Sequence, residues 1–204
     1  MHINYVGHCL VAGKRPGLPD ITLPERAMKR IKRRVARIIY IHLLQHRRGP
    51  KGHMSGKRIG HGFVDWDLVT CVSELRKYLY GGISEAELGA FLEGTARLPY
   101  VRGLMGFLPL ITKIDQLKEL DGWMVSVLRR AQRERVRVAK SHGLTVQRLP
   151  EAMLISGSWY SHPELAIETQ LPSFVRAWRG SKKFYRKYGL SGVNSRIYYT
   201  AVSP

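Results

Sequence analysis

The sequence predicts a mainly α-helical bundle with a short β strand or hairpin at its N-terminus. Three observations carry that expectation. Apolar residues recur at helical spacing through most of the 204 residues. The one clear stretch of apolar and polar alternation is His2 to Val11. Capping residues and glycines bracket the periodic runs where helices should start and stop.

In chain order, HINYVGHCLV (2–11) reads as an edge strand, and 13–19 supplies turn and breaker residues. No second convincing strand follows nearby. A lone strand or hairpin is marginal in water, so this opening reads as a piece parted from its neighbours. A helix is expected from Thr22 to Arg48. Met28, Ile31, Val35, Ile38 and Ile39 gather on one side of it, and Arg26, Arg30, Arg33 and Arg37 form a row opposite. Thr22 is placed to cap it, Pro24 falls in the first turn where a missing N–H costs nothing, and Glu25 completes a capping-box pattern. The stretch GPKGHMSGKRIGHG (49–62) is a cationic loop, suited to wrapping a phosphate backbone or serving as a disordered connection.

Asp65 caps a helix that runs to about Tyr80, with Leu68, Cys71, Val72, Leu75 and Leu79 inward and Gly81-Gly82 as the stop. Ser84 and Glu87 form a capping box for a short helix that carries Leu88, Phe91 and Leu92. GLMGFLPL (103–110) is almost wholly apolar and belongs in the core. A long helix runs from about Ile114 to Lys140, with Ile114, Leu117, Leu120, Met124, Val127, Leu128 and Ala131 in register. Beyond Leu128 it becomes RRAQRERVRVAK, which reads as a cationic extension fraying after Val138. Residues 143–161 are loop-rich, and 151–155 fit strand or helix equally. A last helix, Pro172 to Tyr188, places Phe174, Trp178, Phe184, Tyr185 and Tyr188 on one side, and Gly189-Leu190 closes it.

The net charge of +19 and a pI near 10.4 speak to partners rather than to fold. Residues 25–58 carry +11 and 129–204 carry +10, flanking a middle of −3 at 59–128. Like charges at i,i+4 cost about 0.2–0.5 kcal/mol per pair on a helix. In 25–58 a single acid, Glu25, faces twelve Lys or Arg, so ion pairs within the segment do not account for the row. A polyanionic partner does. Two cysteines, Cys9 and Cys71, support neither a disulfide framework nor a zinc module, and the expected compartment is the cytoplasm. No apolar run reaches the twenty or so residues of a membrane span, and no membrane partner is expected.

Catalytic constellations are hard to assemble. His42 and His46 have metal-ligand spacing without an obvious third ligand. Asp65 with Asp67, and Asp115, Glu119 and Asp121, raise a two-metal site, but capping accounts for Asp65 and Asp115, and a buried polar contact accounts for Asp121. Ser156-Gly-Ser158 is no nucleophile elbow, and no phosphate-cradling GxxxxGK[ST] occurs. No catalytic residue and no metal site are assigned. Trp178, Phe184, Tyr185, Tyr198 and Tyr199 are candidates for stacking on bases, although the helical stripe favours a core place for Phe174, Trp178 and Phe184.

The succession NYVGHCLV, ITLPERAMKRIKRRV, ELRKYLYGGISEAELGAFLEG, RGLMGFLPL, QLKELDGWM and LPSFVRAWRGSKKFYRKYGLSGV resembles the C-terminal part of group II intron-like bacterial reverse transcriptases, and covers nearly the whole chain. The resemblance implies an end-of-palm β fragment at 1–20, a thumb-like helical bundle at 21–142, and a basic, maturase-like RNA-binding region at 143–204. Tyr5, Val6, Gly7 and His8 match the segment that grips the primer, with Val6 and His8 departing from its aromatic-Leu-Gly-aromatic pattern. The family's aromatic-x-Asp-Asp turn occurs nowhere in this sequence. The chain thus looks like a thumb without its enzyme, with no cofactor of its own; a complete polymerase of the family would use Mg. The implied partner is RNA or an RNA–DNA hybrid duplex, held by Arg26, Arg30, Arg33, Arg37, Arg47, Arg48, Lys51, Lys57 and Arg58, with a second contact at Arg129, Arg133 and Arg137. A separate palm and fingers chain completing a split polymerase, or a stand-alone maturase-like RNA binder, are the alternatives.

Overall fold

The N-terminal strand finds its partners within its own chain. In the computed structural model, which describes residues 2–5, 8–11, 19–44, 65–141, 143–160 and 167–189, β1 (His2–Tyr5) pairs antiparallel with β2 (His8–Val11), Tyr5 opposite His8. β2 in turn pairs antiparallel with β3 (Asp20–Thr22), Cys9 opposite Thr22. The expectation of an edge strand without neighbours is therefore overturned: three short strands form one meander, β1-β2-β3. The third was illegible because three residues are too few to alternate.

The same strand corrects the expected cap of the first helix. Thr22 ends β3, where its hydroxyl donates to the Cys9 carbonyl at 3.3 Å. α1 (Glu25–Leu43) begins three residues later, with the Pro24 carbonyl accepting the Met28 N–H. Its apolar stripe is buried as expected, from Met28 and Ile31 through Val35 to Ile38 and Ile39.

The remaining helices are α2 (Trp66–Tyr80), α3 (Glu85–Glu93), a 3-10 turn at Gly103–Phe107, α4 (Asp115–Ser141), α5 (Glu151–Ser156) and α6 (Phe174–Tyr188). The chain is mainly helical, and the undecided 151–155 stretch is helix. Two compact units form, each from separate stretches: Met1–Arg33, Lys77–Asp121 and Ser173–Pro204 in the first, Arg34–Arg76 and Gly122–Pro172 in the second. Neither coincides with one of the three consecutive regions suggested by the order of landmarks. Among the described residues no helix is long and apolar enough to cross a membrane.

In the first unit, the Gln116 amide clasps Leu23, accepting its N–H at 2.8 Å and donating to its carbonyl at 3.1 Å. Thr112 donates its backbone N–H to Ile21 at 3.0 Å, so the sheet is tied to the approach of α4. α3 carries the full capping box, Ser84 accepting from the Glu87 N–H and Glu87 from the Ser84 N–H, an arrangement worth about 1 kcal/mol. α6 packs on α3 and the 3-10 turn through Gly180, where a Cβ would lie 2.5 Å from Met105 Cε and 2.6 Å from Leu88 Cδ1. Gly81 and Gly103, both at positive φ, meet backbone to backbone, which fixes the exit of α2 against the 3-10 turn.

The second unit is built on Val35, Ile38, Ile39, Leu68, Cys71, Leu75, Met124, Leu128 and Ala131, all buried. Arg76, 8% exposed, donates to the carbonyls of Glu168 and Gln170 at 3.0 and 2.9 Å and pairs with the Glu168 carboxylate at 3.3 Å. One buried guanidinium thus pins the stretch returning toward α6.

Candidate nucleic-acid interface

A continuous helix sets the spacing of its surface cations by its own rise. From Arg26 to Arg37, α1 covers about 16 Å at 1.5 Å per residue, the length of roughly five phosphate steps along one strand of a B-form duplex. Arg26, Arg33 and Arg37 are exposed, as is Arg34 beside them, and Arg30 is half-buried. The helix's one acid is engaged: Glu25 pairs with Lys29 at 2.6 Å, and this ion pair and hydrogen bond hold its carboxyl below the ordinary carboxylate range. Lys32 is matched by Glu119, also at 2.6 Å. Among the described residues, Arg26, Arg33, Arg34 and Arg37 have no anionic partner. The expected continuation, Arg47, Arg48, Lys51, Lys57 and Arg58, lies outside the described residues, as does His46.

The second expected contact divides. Arg133 is exposed with no partner among the described residues, and Arg130 and Lys140 join it on the same side of α4. Arg129 is paired with Glu151 at 2.7 Å, and Arg137 with Glu134 one turn back on its own helix. The picture of a cationic extension fraying after Val138 is corrected: α4 is helical to Ser141, and Ala131, Gln132, Arg135 and Ala139 are buried.

Arg135 is the residue that the sequence pattern left without a separate role. It is 2% exposed, and its guanidinium bonds both Asp65 oxygens and, at 3.3 Å, Asp67, which is fully buried. Asp65 also caps α2 as expected, accepting the Leu68 N–H at 3.0 Å. The signal was present: Leu128, Ala131, Arg135 and Ala139 continue one helical stripe, and an Arg in the apolar register needs buried carboxylates. Deep in the same unit, burial pushes the Cys71 thiol far above its ordinary pKa.

The other acids are also occupied. Asp121 caps α6, accepting from the Ser173 hydroxyl and Phe174 N–H at 2.7 Å each and from the Val175 N–H at 3.2 Å. Burial raises its pKa and these three donors oppose the rise. Asp115 does not cap α4 as expected, but sits exposed in its first turn, 3.8 Å from Lys118. With Asp65 and Asp67 bound to Arg135 and Asp121 spent on a helix end, these carboxylates do not fit a magnesium site.

His8, in the segment matched to the primer grip, is buried, stacked on Phe107 at 4.5 Å and within 3.2 Å of its carbonyl. Tyr5 lies opposite it in the ladder, while Val6 and Gly7 fall outside the described residues. Of the stacking candidates, Phe184 is buried, as is Phe174 of the same helical stripe, Tyr185 is half-buried, and Trp178 donates its indole N–H to the Ile111 carbonyl at 2.9 Å with Lys182 over its ring. Burial and the charge of Arg186 lower the Lys182 pKa. Tyr198 and Tyr199 lie outside the described residues. Comparison with protein-family models, curated proteins and solved structures found no match.

Proposed function

We infer that this chain is a nucleic-acid-binding helical module of the cytoplasm, similar to the thumb and C-terminal region of a reverse transcriptase. It grips an RNA-containing template–primer duplex through its phosphates and does not polymerise alone. The observation that supports this most is the α1 row, in which Arg26, Arg33 and Arg37 stand exposed along one face with no anionic partner among the described residues. Self-repelling charge is retained there although the protein supplies counterions to neighbouring lysines. Contacts of this kind read backbone shape rather than sequence, so affinity should be steep in salt and weakly base-specific.

The test is a neutralised row, R26Q/R33Q/R37Q, titrated against an RNA–DNA hybrid. Each phosphate contact removed lowers the salt slope by about 1, so the triple variant should lose about 3 from the slope along with affinity for every sequence alike. An unchanged slope and affinity would reject the row as the interface.

A further inference from the structure

A concave surface of the first unit lies between the 97–99 loop and the end of α6. Gly94, at positive φ, ends α3 and lets the chain turn, and Thr95 secures that turn by donating its hydroxyl to the Ala90 carbonyl at 3.1 Å. Leu98 is then buried while Arg97 and Pro99 stay exposed. Opposite them, Phe184 is buried at 6.3 Å from Phe91, and Tyr188, one turn later and 36% exposed, leans on Phe184 at 4.7 Å. The cleft that Arg97, Leu98, Pro99, Phe184 and Tyr188 line has a volume of about 400 Å³. That is within the range of small-ligand sites and near its lower end.

Its chemistry is mixed in a particular way. The walls are apolar and aromatic, Arg97 stands at the edge with no anionic partner among the described residues, and Lys187 holds its ammonium 5.4 Å from the Tyr188 ring. A part-exposed tyrosine ring with an ammonium over it, near an arginine that no acid among the described residues neutralises, matches one unstacked base with its phosphate, the combination used by single-strand binders. An apolar peptide would leave Arg97 and Lys187 without counter-charge.

We propose that this cleft holds one splayed nucleobase of a single-stranded RNA extension, stacked on Tyr188, with Arg97 on the adjoining phosphate. The assignment rests on the duplex-gripping reading above and adds a second, single-strand site to it. Stacking tolerates any base, since each presents a π-face.

The full chain would be titrated by fluorescence anisotropy with three probes: a blunt RNA–DNA hybrid, the same hybrid with a short single-stranded RNA extension, and that extension made abasic. The extended probe should bind about tenfold tighter than the blunt one, the worth of one stacked base, and the abasic probe should fall back most of the way. Y188A should abolish the preference for a base while Y188F keeps it. R97Q should weaken both extended probes several-fold and leave the blunt one unchanged. R26Q/R33Q/R37Q should weaken all three together and preserve the preference. Equal affinity for blunt and extended probes, or a preference that survives Y188A, would overturn the cleft assignment while leaving the duplex reading intact. Binding to none of the three would overturn both.

Discussion

Replacing Arg135 by Met separates structural arginines from those offered to a partner. The Arg135 side chain is 2% exposed, Asp67 is fully buried and Asp65 is 27% exposed, so R135M leaves one carboxylate sealed from water and another half-shielded. Breaking a buried pair from one side costs about 3–5 kcal/mol, because the remaining charge is neither solvated nor matched. For a chain of this length each kcal/mol moves the midpoint by about 2–4 °C, so Tm should fall by roughly 6–20 °C. The assay is thermal and urea unfolding followed by far-UV circular dichroism, with R133M, a change at an exposed site on the same helix, as the comparison; that change should stay within about 0.5 kcal/mol. Neutralising the acids as well, R135M/D65N/D67N, should recover much of the loss, since the penalty lies in the unpaired charge. If R135M unfolded like wild type, or R133M cost as much, the network would not be what holds these helices.

D121A removes the acceptor of three donors at the start of α6, and should cost about 1–3 kcal/mol in urea unfolding. Stability should also decline in alkali. Burial raises the pKa of the Cys71 thiol above its ordinary 9.0 and of the Tyr80 phenol above 10.0. Above pH 9 the unfolded chain therefore releases protons that the folded chain keeps, and stability falls by up to about 1.4 kcal/mol per pH unit per group. Urea midpoints from pH 8 to 11 should show this fall, with C71A removing the part that begins near pH 9. R26Q/R33Q/R37Q should unfold no earlier than wild type and gain about 0.5 kcal/mol at low salt as the row's self-repulsion is relieved; a marked loss in the same urea titration would mean that the row has a structural role.

Most of the helices were legible because each carries a full apolar stripe and local punctuation. Leu68 to Leu79 and Leu117 to Ala131 are buried as their spacing requires, and the Ser84 capping box forms as written. What failed needed long-range information. Thr22 has the chemistry of a helix cap, and only pairing with Cys9, thirteen residues earlier, makes it strand. Arg135 sits among arginines of the same local appearance, and only Asp65 and Asp67, brought up from another helix, turn it inward. Asp121 makes the polar contact expected of it, and only its partners, 52–54 residues away, were out of reach of local pattern. The cleft at Tyr188 has no sequence signature, since its two walls are separated by more than eighty residues.

The measurement that bears most directly on the central claim is the salt dependence of binding to an RNA–DNA hybrid, with double-stranded DNA and single-stranded RNA alongside. Arg26, Arg33, Arg34 and Arg37 predict a log–log slope of about −3 to −4 from the row alone, at about −0.9 per phosphate contact, and the thumb-like proposal adds a preference for the hybrid over double-stranded DNA. A flat salt response from the folded protein, or no binding to any of the three, would contradict the account and leave the row to an acidic protein partner.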